Sequence, residues 1–108
     1  MRKEEYCPLT EASKILNRKW SLVIVGRLLN EEKRFSQLKK SIPEISPKVL
    51  SSTLKSLQKH GLIERKVVDS SPIKVNYHLT EKGESLEEII NNLEEWGEKW
   101  KKTRITFN

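Results

Sequence analysis

Thiol chemistry is almost absent from this 108-residue chain, which carries one cysteine, Cys7. A single sulfur excludes an intrachain disulfide and is too little for a structural zinc site. Long apolar runs are missing too. Nothing approaches the ~20 residues of a membrane span, and the opening MRKEEYCPLTEA lacks the apolar centre of a secretory signal, so a cytoplasmic, membrane-free protein is expected. The sequence holds no glycine-rich phosphate loop, and its two histidines, His60 and His78, stand far apart with no cysteine or paired carboxylate beside them. His60 reads as a last-turn residue facing a negative helix end, and His78 as an outward strand residue. Neither an enzyme, a metal site nor a cofactor is expected.

Cationic charge is what the chain has instead. Its 21 Lys and Arg against 15 Asp and Glu give +6, with 35% hydrophobic residues, which suits one small domain with an anionic partner. Placement says more than the total. Lys33 to Lys66 holds nine basic and two acidic residues, a balance of +7, whereas Glu81 to Trp100 holds two basic and seven acidic, a balance of −5. The middle is built for phosphate and the end for another task.

Within that basic middle, Ile45 to Arg65 reads as a helix that touches DNA. Ser46 before Pro47 is N-cap chemistry, with proline in the first turn where no amide hydrogen is missed. Leu50, Leu54 and Leu57 form one apolar stripe, while Lys48, Ser51, Ser52, Lys55 and Lys59 fall on the opposite side, and Gly61 supplies a left-handed C-cap. Small polar side chains edged by lysine allow close approach to a phosphate-lined groove. An ordinary solvated helix face has the same composition, so this helix alone does not decide.

The remaining elements frame it. Leu9, Ala12, Ile15 and Leu16 keep helical spacing from Cys7 to Arg18, opened by Pro8 or Thr10. WSLVIVGRLL, Trp20 to Leu29, is apolar nearly all round and reads as an enclosed helix, with a strand as the competing reading because of Val23, Ile24 and Val25. Asn30 to Lys33 is a polar turn, Arg34-Phe35 a very short strand, and a helix capped near Ser36 carries Phe35, Leu38 and Ile42 inward until Pro43 stops it. Two short helices across a tight turn make a helix-turn-helix. LIERKVV and KVNYHL, joined by Asp69-Ser70-Ser71-Pro72, then form a hairpin whose tip can lie against the backbone or minor groove. Thr80 caps a last long helix with Leu86, Ile89, Ile90, Leu93, Trp96 and Trp100 in one stripe, more than one small domain needs, so it is expected to meet a second copy; RITFN is a loose tail. The fold class is α+β, mostly α: a winged helix-turn-helix with a two-stranded β wing and N- and C-terminal dimerisation helices.

Taken together, CPL, RKW, RFSQLKKSIPEIS, KVLSSTLKSLQKHGLIERK and VNYHLTEKGESL resemble the HxlR-type winged-helix transcription regulators, relatives of the MarR group, over nearly the whole chain. The order and spacing of Cys7-Pro8-Leu9, Trp20, Arg34-Phe35, the IPEIS turn, Gly61-Leu62-Ile63 and Tyr77-His78-Leu79-Thr80 carry the resemblance. It implies a homodimer through residues 1–20 and 81–103, using Leu9 with the stripe named above, on a palindromic operator with half-sites ~34 Å apart. It also implies repression and double-stranded DNA contacts by Arg34, Ser36, Gln37, Ser46, Pro47, Lys48, Ser51, Ser52 and Lys55, with Ser70, Ser71 and Lys74 on the wing. Cys7 becomes a candidate sensor of oxidants or small electrophiles, with Arg2 and Lys3 close in sequence to lower its pKa; the alternative is a small buried apolar residue. A winged helix that binds RNA or a protein partner is the competing function.

Overall fold

Burial along the second helix fixes the centre of the molecule. The computed structural model describes residues 7–106, with side chains through Lys101. Helices α1 (Pro8–Ile15), α2 (Ser21–Asn30), α3 (Phe35–Ser41) and α4 (Pro47–Lys59) precede strands β1 (Ile63–Ser70) and β2 (Ile73–Leu79), then α5 (Glu81–Glu84) and α6 (Glu87–Thr106). In α2, Ser21, Ile24, Val25 and Leu28 are buried at the spacing of one helix face. The β-branched run therefore forms a helix and not a strand, because packing on several sides outweighs its modest strand preference. Around it gather Leu38, Ile42 and Ile45, then Leu50, Leu54 and Leu57 of α4, with Leu62, Ile63 and Ile90. Each such side chain contributes roughly 1.5–3 kcal/mol by leaving water.

α3 starts earlier than a cap at Ser36 would have it. Arg34 is the N-cap residue, and its backbone N–H donates to Gln37 Oε1 at 2.8 Å, so a glutamine three residues on closes the helix start. Phe35 is consequently helical, and the short strand expected at Arg34-Phe35 is replaced by a bridge one residue earlier. Lys33 N–H donates to Tyr77 O at 3.1 Å and Tyr77 N–H to Lys33 O at 2.7 Å, adding a third edge to the hairpin.

α4 begins and ends as its sequence predicts. Ser46 Oγ accepts from Val49 N–H at 3.1 Å, with Pro47 in the first turn. At the other end Gly61 has φ +75°, Gly61 N–H reaches Gln58 O at 3.0 Å and Leu62 N–H reaches Leu57 O at 2.9 Å, a paired closure of the last carbonyls. The hairpin is antiparallel, from Ile63 opposite Leu79 out to Ser70 opposite Ile73, with an irregularity between Val67 and Asp69. Its turn is shorter than the expected Asp69 to Pro72, because Ser70 still pairs.

The last expected helix is two. Thr80 Oγ1 accepts from Gly83 N–H at 3.1 Å, as its N-cap role requires, but α5 ends at Glu84. A 3.1 Å bond from Leu86 N–H to Gly83 O tightens the chain before α6 begins. α6 then continues through Thr106, so Arg104 to Thr106 are helical and not a loose tail; helix extension costs little once the preceding turns exist. Phe107 and Asn108 lie outside the described residues, as do Met1 to Tyr6. Ile90 enters the protomer's own core beside Gly26 of α2, where even an added Cβ would make only ordinary contact, 3.7 Å from Ile90 Cγ2. Leu86 also packs on that core, half-buried, so these two belong to the fold before any seam.

Candidate nucleic-acid interface

Leu50, Thr53, Leu54 and Leu57 are the buried side of α4. At about 100° per residue, Lys48, Ser52, Lys55 and Lys59 stand on the diametrically opposite stripe. The three lysines are exposed, and among the described residues no carboxylate lies within ion-pair distance of them. Ser51, expected on that opposite side, instead flanks the stripe half-buried, because it lies only about 100° around the helix from Leu50. Ser46 and Pro47 are exposed at the helix start, where the Ser46 oxygen is already accepting the Val49 amide. Ser52 Oγ donates to Val49 O at 3.1 Å and accepts from Arg18 Nη1 at 3.4 Å. Its hydroxyl is therefore occupied locally.

Ahead of α4, Arg34, Ser36 and Gln37 are all exposed at the start of α3. Gln37 is committed to the cap described above, which leaves its NH2 group as the donor free to reach outward. Behind α4, Ser70, Ser71 and Lys74 are exposed at the hairpin tip, where Ser71 N–H donates to Asp69 Oδ1 at 3.2 Å. The three groups named from the sequence thus occupy three separate places: the first turn of α3, the outer face of α4, and the wing tip.

Two sets of contacts hold these places in register. The α4 end is pinned by α5: Lys82 Nζ donates to His60 O at 2.8 Å, and Thr80 Oγ1 donates to Gly61 O at 2.6 Å. His60 Nδ1 sits 2.9 Å from Ser56 O in that same last turn. The wing is pinned by Glu32, whose carboxylate accepts from Asn76 Nδ2 at 2.6 Å and Lys66 Nζ at 3.0 Å. Those two hydrogen bonds, Asn76 first and Lys66 second, hold the Glu32 carboxyl below its usual pKa. Neither Glu32 nor Arg18 stands out in the sequence, because their partners lie 34 to 44 residues away. The capping role of Gln37 has only half a signal in the sequence, a glutamine at the right spacing but with arginine where serine or threonine would mark the cap.

A polar groove of about 370 Å³ runs between the α1–α2 loop and α4, lined by Asn17, Arg18, Ser52, Lys55, Ser56, Lys59 and His60. An apolar surface lies elsewhere. On α6, Ile89, Leu93, Trp96 and Trp100 recur at four, three and four residues and remain exposed, and the first three border a shallow hollow that Asn92 also lines. Leu9 on α1 is 75% exposed. Cys7 is exposed as the N-cap residue of α1, and hydrogen bonding from the Thr10 side chain, then from the Thr10 backbone, lowers its pKa. An exposed thiol is not the buried apolar residue of the alternative reading. Arg2 and Lys3, the expected source of that lowering, are outside the described residues. Among the described residues no three metal-ligating side chains come together, and no helix is long and apolar enough to cross a membrane.

Residues 15–105 match the family model described as HxlR-like helix-turn-helix. The chain belongs to that family. An HxlR-like chain of this architecture is a DNA-binding winged helix-turn-helix regulator of transcription, and its hairpin is the wing. Among its relatives is the uncharacterized HTH-type transcriptional regulator YvaP of Bacillus subtilis, 38% identical over 101 residues, covering 93% of this chain and 94% of the relative. Among solved structures, the redox regulator HypR in its reduced form has a TM-score of 0.84 at 29% identity, covering 93% of this chain and 99% of the other. Quinone-bound YodB from B. subtilis has a TM-score of 0.71 at 34% identity, covering 86% and 99%.

Proposed function

We propose that this HxlR-like protein is a homodimeric repressor that occupies a palindromic operator and releases it when Cys7 is modified. The observation that carries the DNA contact is the outward lysine stripe of α4, directly opposite the buried leucines. Lys48 and Lys55 are the residues best suited to phosphate or guanine, with Ser46, Pro47, Ser51 and Ser52 allowing the helix to approach closely. Arg34, Ser36 and Gln37 contact the duplex ahead of α4, while Ser70, Ser71 and Lys74 reach the flanking backbone or minor groove. The exposed α6 side chains and Leu9 supply the seam between protomers, an apolar face that one copy leaves in water. Repression follows from bulk at a promoter, since two recognition helices in successive major grooves exclude polymerase.

Cys7 fits the sensor role through its exposure and lowered pKa, and the similarity to a redox regulator and to a quinone-bound regulator favours that role over a structural one. With one cysteine per chain, modification is limited to alkylation, a mixed disulfide or a Cys7-to-Cys7 link between protomers. Selection from a random duplex pool tests the whole reading. It should return inverted half-sites about 34 Å apart, bound by wild type and released by a quinone, and still held by Cys7→Ser in the presence of the quinone. Direct or unpaired sites would remove the symmetric dimer, and release from Cys7→Ser would remove the sensor.

A further inference from the structure

Arg18 comes from the loop after α1, yet its guanidinium reaches the outer face of α4 and donates to Ser52 Oγ at 3.4 Å. Ser52 lies on the same stripe as Lys48, Lys55 and Lys59. A rise of 1.5 Å per residue therefore sets four cations in a line of roughly 16 Å, with Arg18 filling the gap that the serine would leave. Like charges gathered this way repel, and among the described residues no carboxylate within ion-pair distance offsets Arg18, Lys55 or Lys59. Lining the groove between them are Asn17, Ser56 and His60, which add polar groups beside the aliphatic stems of the lysines. Small-molecule pockets are mostly apolar, so this groove has the chemistry of an open anion channel and not of an effector pocket.

We propose that this groove is a second DNA contact, in which Arg18 and Lys59 hold phosphodiesters of the duplex backbone beside the segment that the first turns of α4 enter. The proposal rests on the DNA-binding reading and deepens it: the partner is the phosphate backbone, whatever its sequence. Arg18 is the residue that extends the contact beyond the helix-turn-helix, because it ties the N-terminal part of the chain to the duplex. Phosphate contacts position a protein without reading bases. Losing either cation therefore weakens operator and non-operator duplexes by the same factor.

Duplex affinity of the full chain, measured on operator and random DNA across a potassium chloride series, tests this. Each of Arg18→Ala and Lys59→Ala should lower the salt slope by about 0.9 per protomer and weaken binding about fivefold per protomer near ~0.15 M salt, while Arg18→Lys keeps the slope. Both side chains are exposed, and thermal melting of each variant checks that the fold survives. An unchanged slope in the double variant, with Lys48→Ala still weakening binding, would overturn the groove contact and leave the regulator reading intact. Absence of wild-type duplex binding would overturn both. Titration of inorganic phosphate separates the remaining source: micromolar binding lost in Arg18→Ala, with no change in duplex slope, would assign the groove to a free anion and overturn the proposal.

Discussion

Glu32 and Asn76, 44 residues apart, meet through a 2.6 Å hydrogen bond that ties the wing to the turn between α2 and α3. Lys66 on the other strand closes the clamp from 3.0 Å. Glu32→Ala should speed amide exchange along Arg65 to Val75 while leaving α4 protected. It should also weaken duplex binding severalfold, although removing a negative charge by itself favours DNA. Tighter binding in the variant would show that the clamp does nothing for the wing. The contact has a definite pH dependence. A carboxyl whose folded pKa is depressed stabilises above its unfolded value, about 4.3, and loses that contribution as pH falls through the folded value. Wing protection should therefore be flat from pH 7 to 5 and fall only in more acidic solution.

Thr10 sets the reactivity of Cys7 in the same way, by favouring the charged form, since its side chain is the largest cause of the lowered thiol pKa. Thiolate, not thiol, is the nucleophile, so alkylation at neutral pH should outpace that of a free cysteine. Thr10→Val should move the pH profile of iodoacetamide labelling upward. An unmoved profile would exclude the hydroxyl as the cause.

Gly61 and Gly83 are required for different physical reasons, and substitution separates them. Gly61 has φ +75°, and a Cβ added there would meet nothing within 4 Å, so Gly61→Ala costs only backbone strain, about 1–2 kcal/mol. At Gly83 a Cβ would collide with the Leu62 carbonyl oxygen and lie 3.1 Å from Leu79 Cδ2. Backbone cannot yield there without moving the end of α4, so Gly83→Ala should cost at least about 2–3 kcal/mol. Urea unfolding of both variants gives the order; equal losses would mean that α5 shifts freely.

These elements also mark what the sequence can disclose. Ser46-Pro47 and Gly61 announce both ends of α4 because capping is local chemistry, and the leucine spacing announces its buried side. Glu32, Arg18 and Lys33 act on residues far along the chain, and nothing in their neighbourhood marks them. Ile90 reads in the sequence as part of one unbroken stripe, and its place in the protomer's own core comes from packing with the buried residues of α2, far away in the chain. The candidate interface residues could be named from the sequence as three groups, whereas the contacts holding those groups in register could not.

Trp96 and Trp100 are 64% and 48% exposed on α6, beyond the part of the helix that Ile90 anchors. Their removal should therefore spare the protomer and break the seam. A tryptophan that acts as an interface hot spot costs about 2 kcal/mol when truncated, so each replacement weakens the dimer by roughly thirtyfold per protomer. Sedimentation at micromolar concentration should find wild type dimeric and the Trp96→Ala, Trp100→Ala double variant monomeric, with its melting transition retained. Leu86→Ala is the contrasting case, because that side chain packs on the core and should lower the melting temperature first. A double variant that stays dimeric would move the seam off α6, and with it the spacing between the two lysine stripes that the palindrome requires.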